Sequence, residues 1–363
     1  MPAYTFYETD NRVRRYAETL VRRGDTVDVV ALRRDNHQRF EEINGVNVYK
    51  VQKRKRNEKS AIAYFVKIFL FLINSTLIIA RNHLREPYDI VHVHSLPDFE
   101  VFAALLPRLA GTKVILDIHD LVPEFYKSKF GKDNGSILYN GLVLLEKASI
   151  AFSDHVIISN HLWYNTLVSR SVDSSKCTVL MNYPDNTIFY KRNRTLLDDR
   201  LILMYPGVLS WHQGLDIAIK AFAKIKNKVP KAEFHIYGSG PIERHLAELI
   251  IKLGIEERCF LKGVVSIEKI APIMANSHIG VIAKRNDCFA GEAFSTKTLE
   301  FMSLGVPIIV SKTKIDQYYF NESVVKFFEP ENEEDLADAM LSLLKNSEDR
   351  NALARNALKF VAK

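Results

Sequence analysis

Two rhythms alternate along this chain. Short runs rich in β-branched residues recur from end to end: "TVDVVAL" (26–32), "VNVYKV" (46–51), "DIVHVHS" (89–95), "KVILDIH" (113–119), "HVIIS" (155–159) and "KCTVL" (176–180). After a polar interval they resume with "LILMYPG" (201–207), "EFHIYG" (233–238), "CFLKG" (259–263), "IGVIA" (279–283), "VPIIVS" (306–311) and "VVKFF" (324–328). Between most of them, apolar positions return every three or four residues, which predicts helices over 12–23, 98–110, 137–152, 214–228, 241–253, 267–275, 294–304 and 333–345. Strands with few polar positions, alternating with helices, predict parallel sheets covered on both faces. The class is α/β.

The rhythm breaks at "NYPDNTIFYKRNRTLLDDR" (182–200), where Pro, Asn, Asp and basic residues leave no apolar period. The expectation is an N-terminal Rossmann-like domain over 1–183, a linker over 184–200 and a C-terminal Rossmann-like domain over 201–363. Ligands of such sheets bind outside the carboxyl ends of the strands, so two facing halves predict a site in the cleft between them.

One stretch departs from both rhythms. "SAIAYFVKIFLFLINSTLIIARNHLR" (60–85) has 16 apolar or aromatic side chains in the 20 positions from Ala61 to Ala80. That length suits a bilayer-crossing helix. A span would place "TVDVVAL" and "DIVHVHS" on opposite sides of the membrane, although both belong in one sheet. Basic residues flank both ends, Lys53–Arg56 before and Arg81 and Arg85 after, so no positive-inside asymmetry exists. The stretch is read as a helix covering the first sheet with surplus apolar surface. Core packing is the first expectation for that surplus, and peripheral contact of 53–85 with an anionic membrane the second.

Composition narrows the class. The chain has 363 residues, 47% apolar and 26% charged, as in ordinary soluble enzymes. Cys177, Cys259 and Cys288 are scattered without C-x-x-C spacing, which speaks against a disulfide framework or zinc site and for a cytoplasmic setting. Polarity within the first ten residues argues against a secretory leader. The formal charge of +7 attracts polyanions. Without a nucleic-acid-binding module, phosphorylated substrates or anionic lipid are expected rather than DNA or RNA.

The most informative chemistry lies in "AGEAFSTKTLEFMSLGVPIIVS" (290–311). Glu292 stands in a loop after a predicted strand, and Glu300 lies within the helix that follows. A helix N-terminus near Ser295 presents unpaired N–H groups and a positive dipole end to an anion, and Lys297 adds a cation. Carboxylates on either side suit sugar and ribose hydroxyls. The bland alternative is a helix capped by Ser295 with incidental acids. His92 and His94 share one strand face, and a metal-dependent hydrolase would use such groups. No H-E-x-x-H or carboxylate-bridged pattern accompanies them, and strand histidines bonded to backbone are commoner. "YGSGP" lacks the third glycine of a dinucleotide turn, which speaks against a dehydrogenase.

The block "EAFSTKTLEFMSLGVPII" resembles the E-x7-E signature of retaining glycosyltransferases of family 4, which have the GT-B fold. "YPGVLSWHQGLDIAIKAFAKI" (205–225), "FHIYGSGPIERHLAELI" (234–250) and "CFLKGVVSIEKIAPIMANSHIGVI" (259–282) follow that family's order, as do "DIVHVHS", "VILDIHD" and "SDHVIISNHL" in the first half. The resemblance implies two facing Rossmann-like domains with parallel sheets. It implies metal-independent transfer of a hexosyl or N-acetylhexosaminyl unit from a nucleotide-sugar donor, with no cofactor. The acceptor it implies is a saccharide or lipid-linked saccharide in bacterial surface-polysaccharide synthesis, at the inner face of the plasma membrane. Glu292 and His119 would meet the donor sugar and Glu300 the ribose. Phe294, Ser295, Thr296 and the Gly207 turn would hold the diphosphate, with Gly263 and Val264 at the nucleobase. Asp10, Arg12 and Glu124 would face the acceptor or cleft.

Departures from the family pattern matter equally. The family's diphosphate-gripping Arg and Lys are replaced by Val208 and Gln213, leaving Lys284, Arg285, Lys297 and His212 as substitutes, Lys297 and Arg285 foremost. The N-terminal strand is expected to be largely missing, and the C-terminal crossover helix likewise. Two rivals stand beside transfer: a nucleotide-sugar epimerase of the same fold, and a non-catalytic scaffold on a membrane surface.

Overall fold

The computed structural model describes residues 1–35, 37–54, 61–130, 136–195 and 198–362. Lys55 and Arg56 of the basic run lie outside them. The chain divides into two compact units, Met1–Asn182 and Tyr183–Lys363.

Among the described residues the first unit holds seven strands: β1 (Asp28–Arg33), β2 (Phe40–Ile43), β3 (Val46–Lys53), β4 (Ile90–His94), β5 (Lys113–Ile118), β6 (His155–Ile158) and β7 (Cys177–Val179). Its helices are α1 (Asn11–Arg23), α2 (Ala61–Arg85), α3 (Leu105–Leu109), α4 (Val122–Phe130), α5 (Ile137–Phe152) and α6 (His161–Arg170). Strands β4-β5-β6-β7 form a parallel sheet in that order, and β1 pairs parallel with β3. Pro2 bridges to Val30 and Ala3 to His94, so the first residues stitch the two sheet halves together. The strand expected to be missing survives as this short bridge. Strand β2 has no counterpart among the predicted strands. It is antiparallel to β3 through the turn Asn44–Gly45, whose φ values of 53° and 80° are those of a two-residue hairpin that Asn-Gly favours. The expected helix over 98–110 is a 3₁₀ segment, Asp98–Ala104, running into α3.

The second unit holds a six-stranded parallel sheet in the order β10-β9-β8-β11-β12-β13. The strands are β8 (Leu201–Pro206), β9 (Ala232–Tyr237), β10 (Cys259–Leu261), β11 (Ile279–Ile282), β12 (Ile308–Ser311) and β13 (Lys326–Phe328). The helices are α7 (Leu215–Ile225), α8 (Glu243–Lys252), α9 (Ile267–Ala275), α10 (Thr296–Leu304), α11 (Lys314–Tyr319), α12 (Glu333–Lys345) and α13 (Ser347–Val361). Strand order proceeds outward from β8 to β10, then restarts at β11 on the other side of β8. That reversal makes the β8/β11 boundary the topological switch point, where crossover loops part and a ligand can enter. Right-handed crossovers put α7 and α8 on one face and α9 and α10 on the other, and the packing of α7 on α8 and α12, and of α10 on α9 and α13, agrees.

The core of this unit packs Leu203, Tyr205, Phe222, Phe234, Phe301 and Phe328 with their neighbours. Gly280 in β11 makes room for α10: a Cβ there would stand 2.6 Å from the Phe301 ring. Phe189, inside the stretch read as a linker, is buried in this same core.

Candidate active site

The carboxyl ends of β8, β9 and β10 carry Gly207, Gly238 and Gly263, whose turns interlock. Gly238 N–H donates to the Gly263 carbonyl at 2.7 Å, and Gly207 N–H to the Tyr237 carbonyl at 2.8 Å. At φ 136°, Gly238 leaves no room for a side chain, since its Cβ would fall 1.8 Å from the Gly207 carbonyl oxygen. The sequence G-x-G at 238–240 is thus a backbone packing device. Val264, expected at the nucleobase with Gly263, is exposed beyond the end of β10.

Across the switch point from Gly207 stands the N-terminus of α10. Ser295 occupies the N-cap position, but its side chain makes no capping hydrogen bond. Its hydroxyl and that of Thr298 are buried, and among the described residues neither finds a partner. Capping by Ser295, the bland reading of this helix, does not occur. Lys297 points back toward the Gly207 turn, where a Cβ on Gly207 would meet its Nζ at 3.2 Å. Burial pushes the Lys297 amine down to about 8, against the opposing charge of Glu300 and with help from Lys284. The first turn of α10 thus holds two buried hydroxyls without a hydrogen-bond partner among the described residues, together with a desolvated amine. A helix N-terminus so furnished suits an anion.

The other expected cations are engaged elsewhere. Lys284 is buried, 2.9 Å from Asp316 and donating to the Ala293 carbonyl at 2.8 Å. Arg285 donates to both oxygens of Asp216 at 2.8 and 2.7 Å and lies 3.6 Å over the Trp211 ring. His212 pairs with Asp287 at 2.9 Å. Glu292 stands in the loop before α10 with Lys314 2.5 Å away. Phe294 packs edge-on against Tyr319 with centroids 5.1 Å apart. Glu300 follows Lys297 by three residues, one turn further along α10. Val208 and Gln213, the departures from the family pattern, are bridged by the Tyr205 hydroxyl, which reaches the Val208 carbonyl at 3.0 Å and Gln213 Oε1 at 2.9 Å.

The first unit carries a second cluster, at the carboxyl ends of β4 and β5. Arg12, in the first turn of α1, donates to both oxygens of Asp117 at 3.0 and 2.7 Å. Asp10 caps that helix by accepting from the N–H groups of Arg12 and Val13. His119, one residue beyond β5, places Nε2 3.3 Å from Asp117 and 3.2 Å from His94 Nδ1. Against the upward pull of burial, the charge and hydrogen bonding of His119, with His92 and His94, hold Asp117 well below the usual carboxylate range. Burial, then the charge of His92, push His94 well below the ordinary imidazole value. Arg12 is therefore a buried structural partner. Glu124 is likewise committed, paired with Arg170 at 2.5 Å, and Arg170 also grips Glu146.

Sequence reasoning missed Asp117, although D-I-H places it two residues before His119 and hence on the same strand face. Among the described residues, two groups have donor atoms close enough for a cation: His92, His94 and Asp117, and Glu8, His37 and Glu41. In the first, Arg12 already engages both Asp117 oxygens. In the second, the Lys50 ammonium sits within 2.6 Å of Glu8 and 2.5 Å of Glu41 and supplies the positive charge itself.

Comparison with known proteins gives this arrangement its setting. The family described as glycosyl transferases group 1 matches residues 187–360, and the family described as a glycosyl transferase 4-like domain matches residues 9–182. An uncharacterised glycosyltransferase of Methanocaldococcus jannaschii is 24% identical over 320 residues, covering 81% of this chain and 74% of that protein. A phosphatidylinositol N-acetylglucosaminyltransferase component of Arabidopsis thaliana is 24% identical over 237 residues, 64% of this chain and 50% of that protein, so the chain spans half the length of this relative. The solved sucrose-phosphate synthase of Thermosynechococcus elongatus superposes with a TM-score of 0.80 at 18% identity, over 99% of this chain and 91% of its own. At that identity the likeness establishes the fold alone. With one family model on each unit and two Rossmann-like parallel sheets, the chain is a GT-B-fold glycosyltransferase related to the group 1 and 4-like families.

Proposed function

We propose that this chain is a retaining, metal-independent glycosyltransferase of family 4. In this reading it moves a hexosyl or N-acetylhexosaminyl unit from a nucleoside-diphosphate sugar to a lipid-linked saccharide. The observation that carries the donor half is the first turn of α10, where the Ser295 and Thr298 hydroxyls are buried without partners among the described residues and the Lys297 amine is desolvated. A diphosphate would accept from the hydroxyls and offset the penalty that burial places on the Lys297 ammonium. It would do so where negative charge grows as the glycosidic bond breaks. Lys297 thereby takes over the task of the absent family cations, since Arg285 and Lys284 are held by Asp216 and Asp316. Glu300 would hold the ribose and Gly263 and Val264 the base. Glu292 and His119 would meet the sugar.

The acceptor half rests on α2. From Phe65 to Arg85 this helix is long and apolar enough to cross a membrane, by length and composition. Ile68, Phe71 and Ile79 are nevertheless buried in the first unit, and Asn82 donates to Asp28 at 3.0 Å, which ties the helix to β1. Its outward stripe, Phe65, Val66, Phe69, Leu70, Ile73 and Leu77, is exposed. Such a helix lies on a bilayer surface, where lipid-linked acceptors are found. The name of the plant relative, a phosphatidylinositol N-acetylglucosaminyltransferase, agrees with a lipid acceptor. A role in bacterial surface-polysaccharide synthesis at the cytoplasmic face is the setting expected from the family resemblance. Arg12 and Glu124, spent on ion pairs, would shape the acceptor side without touching it.

Calorimetric titration with UDP, GDP and dTDP tests the donor half. The parent chain binds at least one of them, and Lys297→Met weakens that binding by about tenfold or more. Equal affinity in parent and variant would remove Lys297 and the α10 N-terminus from the donor site.

A further inference from the structure

A cavity of about 620 Å³ in the second unit lies between the N-termini of α7 and α12. That volume falls within the roughly 300–1,000 Å³ of small-molecule sites. Its walls include Trp211, Asp216, Lys220, Arg285, Glu331 and Glu333. Gly207, Ser295, Lys297 and Thr298 are not among its walls.

We infer that this cavity is a saccharide-binding subsite, taking an uncharged sugar ring against Trp211. Three features carry the inference. Trp211 is 52% exposed even though the Arg285 guanidinium lies 3.6 Å over its ring. A planar ring covered on one side and still half exposed presents its other face to solvent. Arg285 is itself locked by two hydrogen bonds to Asp216 and a third, at 3.2 Å, to the Trp211 carbonyl. The ring is thus held in place before any ligand arrives, which reduces the ordering cost of binding. A flat, pre-oriented indole matches the C–H face of a pyranose, as amphipathic aromatic side chains do at half-wet surfaces.

The polar lining selects hydroxyls over phosphates. Three carboxylates, Asp216, Glu331 and Glu333, face two cations, Arg285 and Lys220. A phosphorylated ligand would meet net negative charge, whereas sugar hydroxyls donate to carboxylates. Glu331 stands 3.7 Å from Arg285 and keeps a half-exposed carboxylate. Its backbone adopts φ 64°, a left-handed conformation that costs a non-glycine residue energy and often marks a ligand wall. Neither this site nor its ligand depends on the donor reading above.

Saturation-transfer NMR and calorimetry on the full chain test the inference, with maltotriose and triacetylchitotriose as the probes. Saturable binding of at least one is expected with a dissociation constant on the order of 1 mM. Trp211→Ala should weaken it by about tenfold or more, and Glu331→Gln by a smaller factor, as for a central anchor and a flanking contact. UDP affinity should be unchanged in both variants, which also reports that they are folded. No saturable binding of either probe to the parent, or equal binding to parent and Trp211→Ala, would overturn the subsite. Loss of UDP binding in the parent would count against the donor reading and leave this one standing.

Discussion

Lys297 is an amine whose surroundings penalise its charge. In the folded chain it titrates near 8, against 10.5 for an ordinary lysine. Between those values the unfolded chain binds the extra proton, so this group makes stability rise with pH across the interval, and below about 8 its full penalty is present. Lys297→Met keeps the apolar stem and removes the charge. Its thermal midpoint without nucleotide should exceed the parent's at pH 7 and converge on it above pH 10.5. The same change should shrink the upward shift that a bound nucleotide produces.

Glu100 has the opposite sign. It is 0% exposed beneath α2, and burial raises its carboxyl to about 8 despite nearby Ser75. From its ordinary 4.5 up to about 8 the folded chain holds the additional proton, so stability falls as pH rises. Glu100→Gln should therefore raise the thermal midpoint at pH 9 and leave it nearly unchanged at pH 4.5. Asp117 tests a third situation. Asp117→Asn strands the buried Arg12 guanidinium, and chemical denaturation should show a loss of about 3–5 kcal/mol. Because Asp117 stays ionised well below the usual range, this pair holds through mild acid and is lost only as pH falls through that depressed value.

Among elements, α2 and α10 put opposite problems to a reader of sequence. The apolar run of α2 is obvious, but with 16 of 20 positions from Ala61 to Ala80 apolar it does not reveal which side is covered. The structure assigns Ile68, Phe71, Ser75 and Ile79 inward and Phe69, Leu70, Ile73 and Leu77 outward. Flotation with anionic vesicles tests the outward stripe. The parent should float, and a Phe69→Ser, Leu77→Ser double variant should remain in the pellet, whereas equal flotation would remove α2 from membrane contact. The loop and helix of α10 were legible because two glutamates, Ser295 and Lys297 bracket a strand-to-helix turn. The empty cap was not, since a serine at the N-cap normally closes the helix it begins. Strand β2 was missed because none of its side chains is buried, so alternation left no trace. Its signal was the Asn44–Gly45 turn. The last helix, α13, buries only Ala357 and lacks a pronounced apolar stripe.

At the scale of the molecule, the order of elements was readable because strands buried on both faces have few polar residues. Pairing was not. Nothing in the residue types of Arg285 and Lys297 says that one is spent on Asp216 while the other points back at the Gly207 turn, since that depends on how α7, α10 and α12 pack. The same holds for Arg12, whose partner lies 105 residues away. The proposed donor site therefore rests on the second unit's sheet as a whole, with Gly207 and Lys297 on either side of its switch point and Glu292 in the loop before α10. The most direct measurement is release of free nucleotide from a panel of UDP-, GDP- and dTDP-sugars, for the parent chain and Glu292→Ala. The parent is predicted to turn over at least one donor. Glu292→Ala should retain nucleotide affinity while losing about a hundredfold or more in rate, as when a group aimed at developing charge is removed. An unchanged rate in Glu292→Ala, or no turnover of any donor by the parent, would contradict the account.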